Sequence, residues 1–564
     1  MNISKLASIR FMLLSFFLCA IGSHIQAQDV KLKPVTRTYA ITNATIITAP
    51  GQKLDKASII VEDGVILAVG QNLAIPPQAI VMEADSMYIY PGFIDGLSHV
   101  GVKRPKEDAK KEKVKDPGNP PDHAAGIEPY AQVRQSLSVD EKSIDDLRRQ
   151  GFTVSHTVPY GKMLPGYGAL ILLAGEEPDN MILKDKYAMF GQMEGAAGVY
   201  PNTVMGVMAK YRELYRQAQQ LTAAQKQYAQ GASGLQRPQQ DRVLEALQPV
   251  VSGSVPMVYK AEKVLDIQRI IALQKELGFK LTLAEVKEAW EITDKIRSSG
   301  AQVFLSLDLP ELVEDKADTV TQDSTQTKDV VEKSAEHLAL QARKEKMINK
   351  YYTQAALFDS LGILYGFSTM EAKPAEIRKI LHHIKEKGAT ESSLLAALTT
   401  TPAKFMGLES VLGTLAPGKM GNFIITDKPY FDEESSVKYV FVEGVPFNYD
   451  TPAAPKATGE PADVLGTWSY STETPQGTGT GQIFIKGQHG DYSGTISSSL
   501  TGDTSELSRI EVNGNSLSFT FSIVINGNTL VIDVLVEVEG DTFKGSMTAG
   551  TYGGFPMEGQ RMPE

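Results

Sequence analysis

Cysteine, tryptophan and histidine are scarce: 564 residues hold one Cys, two Trp and eight His. The single thiol, Cys19, has no partner for an internal disulfide, which excludes a disulfide scaffold and a thiolate metal site. A basic excess is missing too. Lys and Arg number 56 against 67 Asp and Glu, giving a net charge of -11 and a pI near 5.4, so no global attraction draws the chain to a nucleic-acid backbone or an anionic membrane. The one early apolar run, Phe11 to Ile21, is too short to span a bilayer, and a polytopic membrane protein is a poor fit. What is present is ordinary soluble usage, 42% apolar and 22% charged residues, enough to bury several cores. At ~150 residues per domain the length suggests three or four domains, unless one large α/β barrel takes about half of it.

The first residues bear on the compartment. Lys5 and Arg10 flank the start, the apolar run follows, and small or polar residues lead to Ala27, the layout of a secretory signal peptide over 1–27. Cleavage there removes two positive charges and no acids, so the mature net charge is -11 - 2 = -13. Cys19 leaves with the leader. Lipidation of Cys19 is the competing reading, but Phe16-Phe17-Leu18 before it lacks the small residues of a lipoprotein signal. The expected location is exported, in the periplasm or cell envelope.

Along the chain, residues 37–90 read as short strands, with Asp63-Gly64 as a hairpin turn. From 91 to 407, apolar strand-like runs such as Thr153 to Val158, Leu170 to Ala174, Met257 to Lys260 and Val303 to Leu307 alternate with helical stretches, the pattern of a parallel α/β barrel. Three polar segments interrupt it: Lys103 to Asp122, the Gln-rich Tyr215 to Gln240, and Glu314 to Lys346. The first and last each follow a predicted strand, on the face where such barrels carry sites; they are either lids or plain surface insertions. Strand character returns over 408–450, which completes a β module with 37–90. A Pro/Ala/Thr-rich linker, 451–462, precedes residues 463–564, where alternating strands and Asn-Gly turns predict an antiparallel sandwich or small barrel.

Tyr90-Pro91-Gly92-Phe93-Ile94-Asp95-Gly96-Leu97-Ser98-His99 resembles the first barrel strand of the amidohydrolase superfamily, written P-G-F-I-D-x-H-x-H. The stretches Ala396 to Leu408 and Leu412 to Lys419 resemble that family's C-terminal passage, in the same order. The resemblance covers about Arg37 to Asp450 and is most like the imidazolonepropionase-like branch. It implies a TIM-like (β/α)8 barrel with a composite β-sandwich built from both flanks, to which the C-terminal all-β domain is added. It also implies a hydrolase of non-peptide C–N bonds in which His and Asp ligands hold divalent metal, and the metal activates a water.

The chain departs from that pattern. Leu97 stands at the first histidine of the pair, and only His99 remains as a metal-ligand candidate. Lys260 stands where Val258-Tyr259-Lys260-Ala261 resembles the stretch that supplies a ligand histidine. Leu281 to Trp290 shows no histidine where the family usually has one, and the last strand offers hydroxyls, Ser368 and Thr369, in place of an acid. Of the remaining histidines, His337 lies in a charged insertion, His382 and His383 on a Lys-rich helix and His489 in the last domain. His99, His123 and His156 with a carboxylate are the minimum set for a single divalent metal such as zinc. Lys260 is a Schiff-base former, a bridging ligand after carbamylation, or a replacement for the metal's charge, with Asp95 as its partner.

The site candidates are therefore Asp95, Leu97, His156, Lys260, Ser368 and Thr369, with His99 as the metal ligand. The expected function is an exported amidohydrolase-type protein of atypical or impaired activity. The alternative is a non-catalytic homologue that binds a small amide-like ligand, a peptide fragment or another chain, with homo-oligomerisation open. A further possibility makes the C-terminal β domain the working module. Nucleic acid is not an expected partner.

Overall fold

The computed structural model describes residues 38–105, 114–312, 335–449 and 462–562, apart from 475–476, 489–490, 500–503, 526–527 and 550–553. The leader at 1–27, nearly all of the linker, His489 and parts of the first and third polar segments lie outside the described residues. The described helices include none long and apolar enough to cross a membrane.

Strands β1 (Thr38–Ala49), β2 (Gln52–Glu62), β3 (Val65–Gly70), β4 (Ile80–Glu83) and β5 (Tyr88–Pro91) come first. Asp63 and Gly64 both take positive φ, 50° and 79°, the turn whose twist matches a tight hairpin between β2 and β3. Eight further strands follow: β6 (Phe93–Ser98), β7 (Phe152–Thr157), β8 (Gly166–Leu172), β9 (Ile182–Gln192), β10 (Met257–Lys260), β11 (Leu281–Val286), β12 (Gln302–Ser306) and β13 (Gly366–Ser368). Then β14 (Phe423–Thr426), β15 (Val437–Val442) and β16 (Val445–Asn448) return to the first group. Strand β14 pairs antiparallel with β5, Phe423 opposite Pro91, so both flanks join in one sheet ordered β16-β15-β14-β5-β1-β2-β3, with β4 on β1. The expected composite module is thus hydrogen-bonded as a single eight-stranded sheet, with its own core that includes Ile41, Ile59, Phe423 and Phe441.

The second sheet runs β13-β12-β11-β10-β9-β8-β7-β6, and Thr369 N–H donates to Leu97 C=O at 3.2 Å, which brings its two ends together. It corrects the expectation of eight parallel strands. Strand β8 is antiparallel to both β7 and β9, while the remaining pairs are parallel. The reason is the connection 158–165: a parallel return needs a crossover of about a dozen residues or more, and this segment is too short to make one. Two glycines let the sheet close tightly. A Cβ on Gly96 would stand 2.0 Å from Phe304, and one on Gly168 would stand 2.5 Å from His156 Nε2.

The Gln-rich segment is mostly one helix, Val204–Gln230, capped where Thr203 Oγ1 accepts from Gly206 N–H at 3.2 Å. It buries Val207, Tyr211, Leu214, Tyr215 and Ala218, a spacing that gives one apolar face against the sheet and leaves the glutamines outside. Arg148, 8% exposed, ties the helix Lys142–Arg148 to both groups of strands. It donates to Leu173 C=O at 2.6 Å, Tyr449 Oη at 2.7 Å and Asp145 at 2.9 Å, and stacks over Phe447.

After residue 461 the chain makes β17 (Gly466–Thr474), β18 (Gly477–Gln488), β19 (Asp491–Ser498), β20 (Thr504–Glu506), β21 (Ser508–Asn513), β22 (Ser516–Ile525), β23 (Asn528–Glu539), β24 (Thr542–Ala549) and β25 (Gly554–Arg561). Each pairs antiparallel with the next, except that β20 and β21 follow one another on a single path, the first on β19 and the second on β22. Strand β25 pairs back to β17, and the consecutive strands β20 and β21 stand at the two ends of the path, so the sheet rolls up as an up-and-down, barrel-like sheet. Trp468, Phe519, Val534 and Phe543 belong to its separate core. Arg561 latches the ring: its guanidinium stacks over Trp468 at 4.5 Å and donates to the carbonyls of Asp463 and Leu465, both at 2.5 Å.

A nine-stranded antiparallel sheet rolled around its own core should fold alone. Residues 462–564 expressed without the rest are expected to give a cooperative thermal transition and a β-type far-UV spectrum. An isolated segment without a transition, paired with a truncated chain that aggregates, would mean that the two parts share a core.

Candidate functional site

The C-terminal ends of β6, β10, β11, β12 and β13 meet in a polar mouth. Two buried acids organise it. Asp95 on β6 accepts from Ser155 Oγ at 2.6 Å, Thr369 N–H at 2.9 Å and Leu97 N–H at 3.4 Å. Glu285 on β11 accepts from Ser306 Oγ at 2.7 Å and Met370 N–H at 3.1 Å, and its own N–H donates to Ser368 Oγ at 3.0 Å. Both acids are fully shielded from solvent. Successive amides, Thr369 and Met370, thus serve different carboxyls.

Burial pushes the Asp95 carboxyl up to about 6, against its hydrogen bonds, that from Ser155 Oγ foremost, which favour its charged form. Burial likewise pushes Glu285 up to about 7, opposed by Ser306, Ser368 and Lys287 and reinforced by the charge of Asp95. Glu285 also has φ +56°, a left-handed conformation that a side-chain-bearing residue adopts at a cost, and such outliers gather at functional sites.

Outside the buried acids lies a chain of alternating charges. Lys260 bonds Glu371 at 2.5 Å and Glu262 at 3.4 Å; Lys287 bonds Asp308 at 2.5 Å and Glu262 at 3.6 Å. A cavity of about 330 Å³ opens beside it, lined by Glu262, Lys263, Lys287, Glu288, Asp308 and Tyr351 among others. A larger cavity of about 580 Å³ lies between the helices Ala335–Ser360 and Ile377–Glu386, lined in part by Glu345, Tyr352 and His383.

The sequence-derived candidates fall into separate places. Asp95, Leu97 and Thr369 come together, and Ser368 joins them through Glu285. Lys260 is half-buried and pairs with Glu371 and Glu262, whereas the Asp95 partnership expected for it is replaced by hydroxyls and amides. His99 stacks on Tyr160, ring centroids 3.9 Å apart, with Nδ1 hydrogen-bonded to Val158 C=O at 2.8 Å. His156 is buried against Tyr187, with Nδ1 hydrogen-bonded to Gly96 C=O at 3.1 Å. Burial pulls both imidazoles down to about 4, so both are neutral at pH 7. His123 sits in the turn Asp122–Ala125, exposed. The trio of His99, His123 and His156 is not assembled.

A divalent metal, which the family resemblance implies, needs several donors aimed at one point. Leu97 supplies hydrocarbon, the oxygens of Asp95 are taken up by a hydroxyl and two amides, and Lys260 brings a cation into the mouth. Among the described residues no group of three His, Cys, Asp or Glu side chains could share an ion. The donors present do not fit the group. Glu285, Glu371, Glu262, Lys287 and Asp308 were not singled out from the sequence. Glu285 lies inside Leu281 to Trp290, the stretch that lacks the expected histidine, so an acid near a strand end was the available signal.

The Amidohydrolase family model matches residues 367–447. A crystal structure of an amidohydrolase from Thermotoga maritima shares the fold with a TM-score of 0.57, at 21% identity, over 72% of this chain and 99% of that one. A putative prolidase from Bifidobacterium longum aligns at a TM-score of 0.43 and 15% identity, over 73% of this chain and 95% of that one. A molinate hydrolase aligns at 0.40 and 14%, over 76% and 99%. No curated protein matches the chain.

The buried acids make stability depend on pH. Glu285 holds its proton more tightly folded, at about 7, than a carboxyl at its ordinary 4.5 in the unfolded chain. Its contribution is therefore most favourable below 4.5 and is lost as pH rises through the window from 4.5 to 7. Glu285→Gln keeps the shape and removes that loss. Urea unfolding should show the variant gaining roughly 2 to 3 kcal/mol on the native chain between pH 4.5 and 8. A difference that stays constant with pH would show that the carboxyl ionises in the folded chain as it does in the unfolded one.

Proposed function

We propose that the chain is an amidohydrolase-type barrel protein whose mouth binds a small molecule and does not perform the metal-dependent hydrolysis associated with that fold. The observation that carries this reading is the mouth itself: Leu97 offers no donor, and Lys260, held by Glu371 and Glu262, places a cation at the strand end where the resemblance expects a ligand histidine. The other reading, an atypical hydrolase of non-peptide C–N bonds, draws support from the family match and from Asp95 and Glu285 as proton-holding acids. Both carboxyls are fully buried and hydrogen-bonded, which keeps them from a substrate. The leader pattern around Lys5, Arg10 and Ala27 supports export to the periplasm or cell envelope as part of the proposal.

Elemental analysis of the full-length protein after desalting tests the reading. Well under one tightly bound divalent metal per chain is expected, with no hydrolysis of N-acyl amino acids or cyclic amides on adding zinc. Two equivalents of a transition metal with zinc-dependent turnover would restore the hydrolase.

A further inference from the structure

We infer that the open edge of β4 is the docking place of the chain's own Val30-Lys31-Leu32-Lys33-Pro34, laid antiparallel to β4 as one more strand of the composite sheet. The inference concerns that sheet edge and is independent of the mouth. The five residues lie outside the described ones, just ahead of Thr38, where β1 begins.

Strand β4 runs parallel to β1, with Tyr39 opposite Ile80 and Ile41 opposite Met82, and pairs with no other described strand. Ala84 N–H donates to Thr42 C=O at 3.0 Å, so by alternation the amides of Ile80 and Met82 turn towards β1 and those of Val81 and Glu83 turn away from it. That outer side also carries apolar surface, Ile80 being 47% and Val81 54% exposed. An edge of this kind is a template for a further strand, and Ile80–Glu83 holds no lysine, proline or bulge to guard it. Its one charge, Glu83, accepts from Thr42 Oγ1 at 2.9 Å and Asn43 Nδ2 at 2.6 Å and meets no cation among the described residues.

The segment ahead of β1 fits this edge in length, parity and charge. Pro34 is four steps from Thr38, a reach of at most ~14 Å, against the ~10 Å of two strand spacings from β1 to the far side of β4. With Pro34 opposite Ile80, Lys33 meets Val81, Leu32 meets Met82 and Lys31 meets Glu83. The pairs that exchange backbone bonds are then Lys33 with Val81 and Lys31 with Glu83, so the N–H that proline lacks is not called for. Leu32 and Pro34 fall on the face of Met82 and Ile80, the side on which Tyr39 and Ile41 belong to the core of the sheet. Lys31 and Lys33 fall on the solvent face, where Lys31 supplies the cation that Glu83 lacks. A slip by one residue would turn both lysines towards the core, which fixes the register.

Oxidative cross-linking of the full-length chain tests this in a Cys19→Ser background, which removes the one native thiol. Lys31→Cys with Glu83→Cys puts thiols on directly opposed positions, ~5.5 Å apart at Cα, a separation that a disulfide spans. The pair should close within one chain at least ~10-fold faster than Leu32→Cys with Glu83→Cys, whose side chains leave on opposite faces. Hydrogen exchange is the second measure. The Val81 and Glu83 amides of the native chain should exchange at least ~10-fold more slowly than those of Leu32→Asp, while the Ala84 amide keeps its rate and verifies the fold of the variant. Equal closure of the two cysteine pairs overturns the assignment, and so do native Val81 and Glu83 amides that exchange as fast as in Leu32→Asp. Disulfides formed only between two chains overturn it as well and give the edge to a second copy.

Discussion

Strand β13 is three residues long, too short for a ladder of its own to fix it between β12 and β6. What fixes it is the pair of buried acids. Thr369 N–H reaches Asp95 and Leu97 C=O on β6, and Met370 N–H reaches Glu285 on β11, so one peptide step ties the first strand of the closing sheet to β11 across β13. Hydrogen bonds to a carboxyl inside the protein are short and strong when the carboxyl is charged. They also impose a condition on the rest of the mouth: every remaining lone pair must find a donor or pay for its burial. Ser155 and Ser306 meet that condition, and Ser98 supports Ser155 at 2.7 Å. The hydroxyl-rich ends of β6, β7, β12 and β13 follow from two acids placed where the sheet closes.

The outer ion pairs contribute differently. Their carboxylates are between 30% and 44% exposed, and solvent screens them, so each pair adds little to stability. Their effect is on arrangement. Lys260 and Lys287 share Glu262, which fixes the ends of β10 and β11 relative to one another and sets which oxygens remain free.

Much of this was legible in the residues. The hairpin at Asp63-Gly64 depends on two adjacent positions, and the strand ending in Ser98 on the contiguous motif that begins at Tyr90, so both are local. The reversal of β8 was not, because Leu170 to Ala174 has the same apolar character whichever way it runs; direction comes from the length of the connection and from pairing at a distance. The partner of Lys260 was missed for a related reason. Glu371 lies 111 positions away and beyond the end of β13, and no periodicity links the two. Glu285 was missed because its role comes from burial and from φ, which a sequence does not display.

The C-terminal barrel begins and ends on neighbouring strands, with Trp468 opposite Arg561. Its entering chain and its last strand therefore share one point of the wall, and the Arg561 latch sits there, gripping Asp463 and Leu465 just before the first strand. A tension arriving along the preceding chain would meet that latch first and load β17 across its two neighbours, in shear against many bonds at once. The barrel is thus held at a single reinforced knot, where a pull meets the grip of Arg561 before it can peel a strand from the wall.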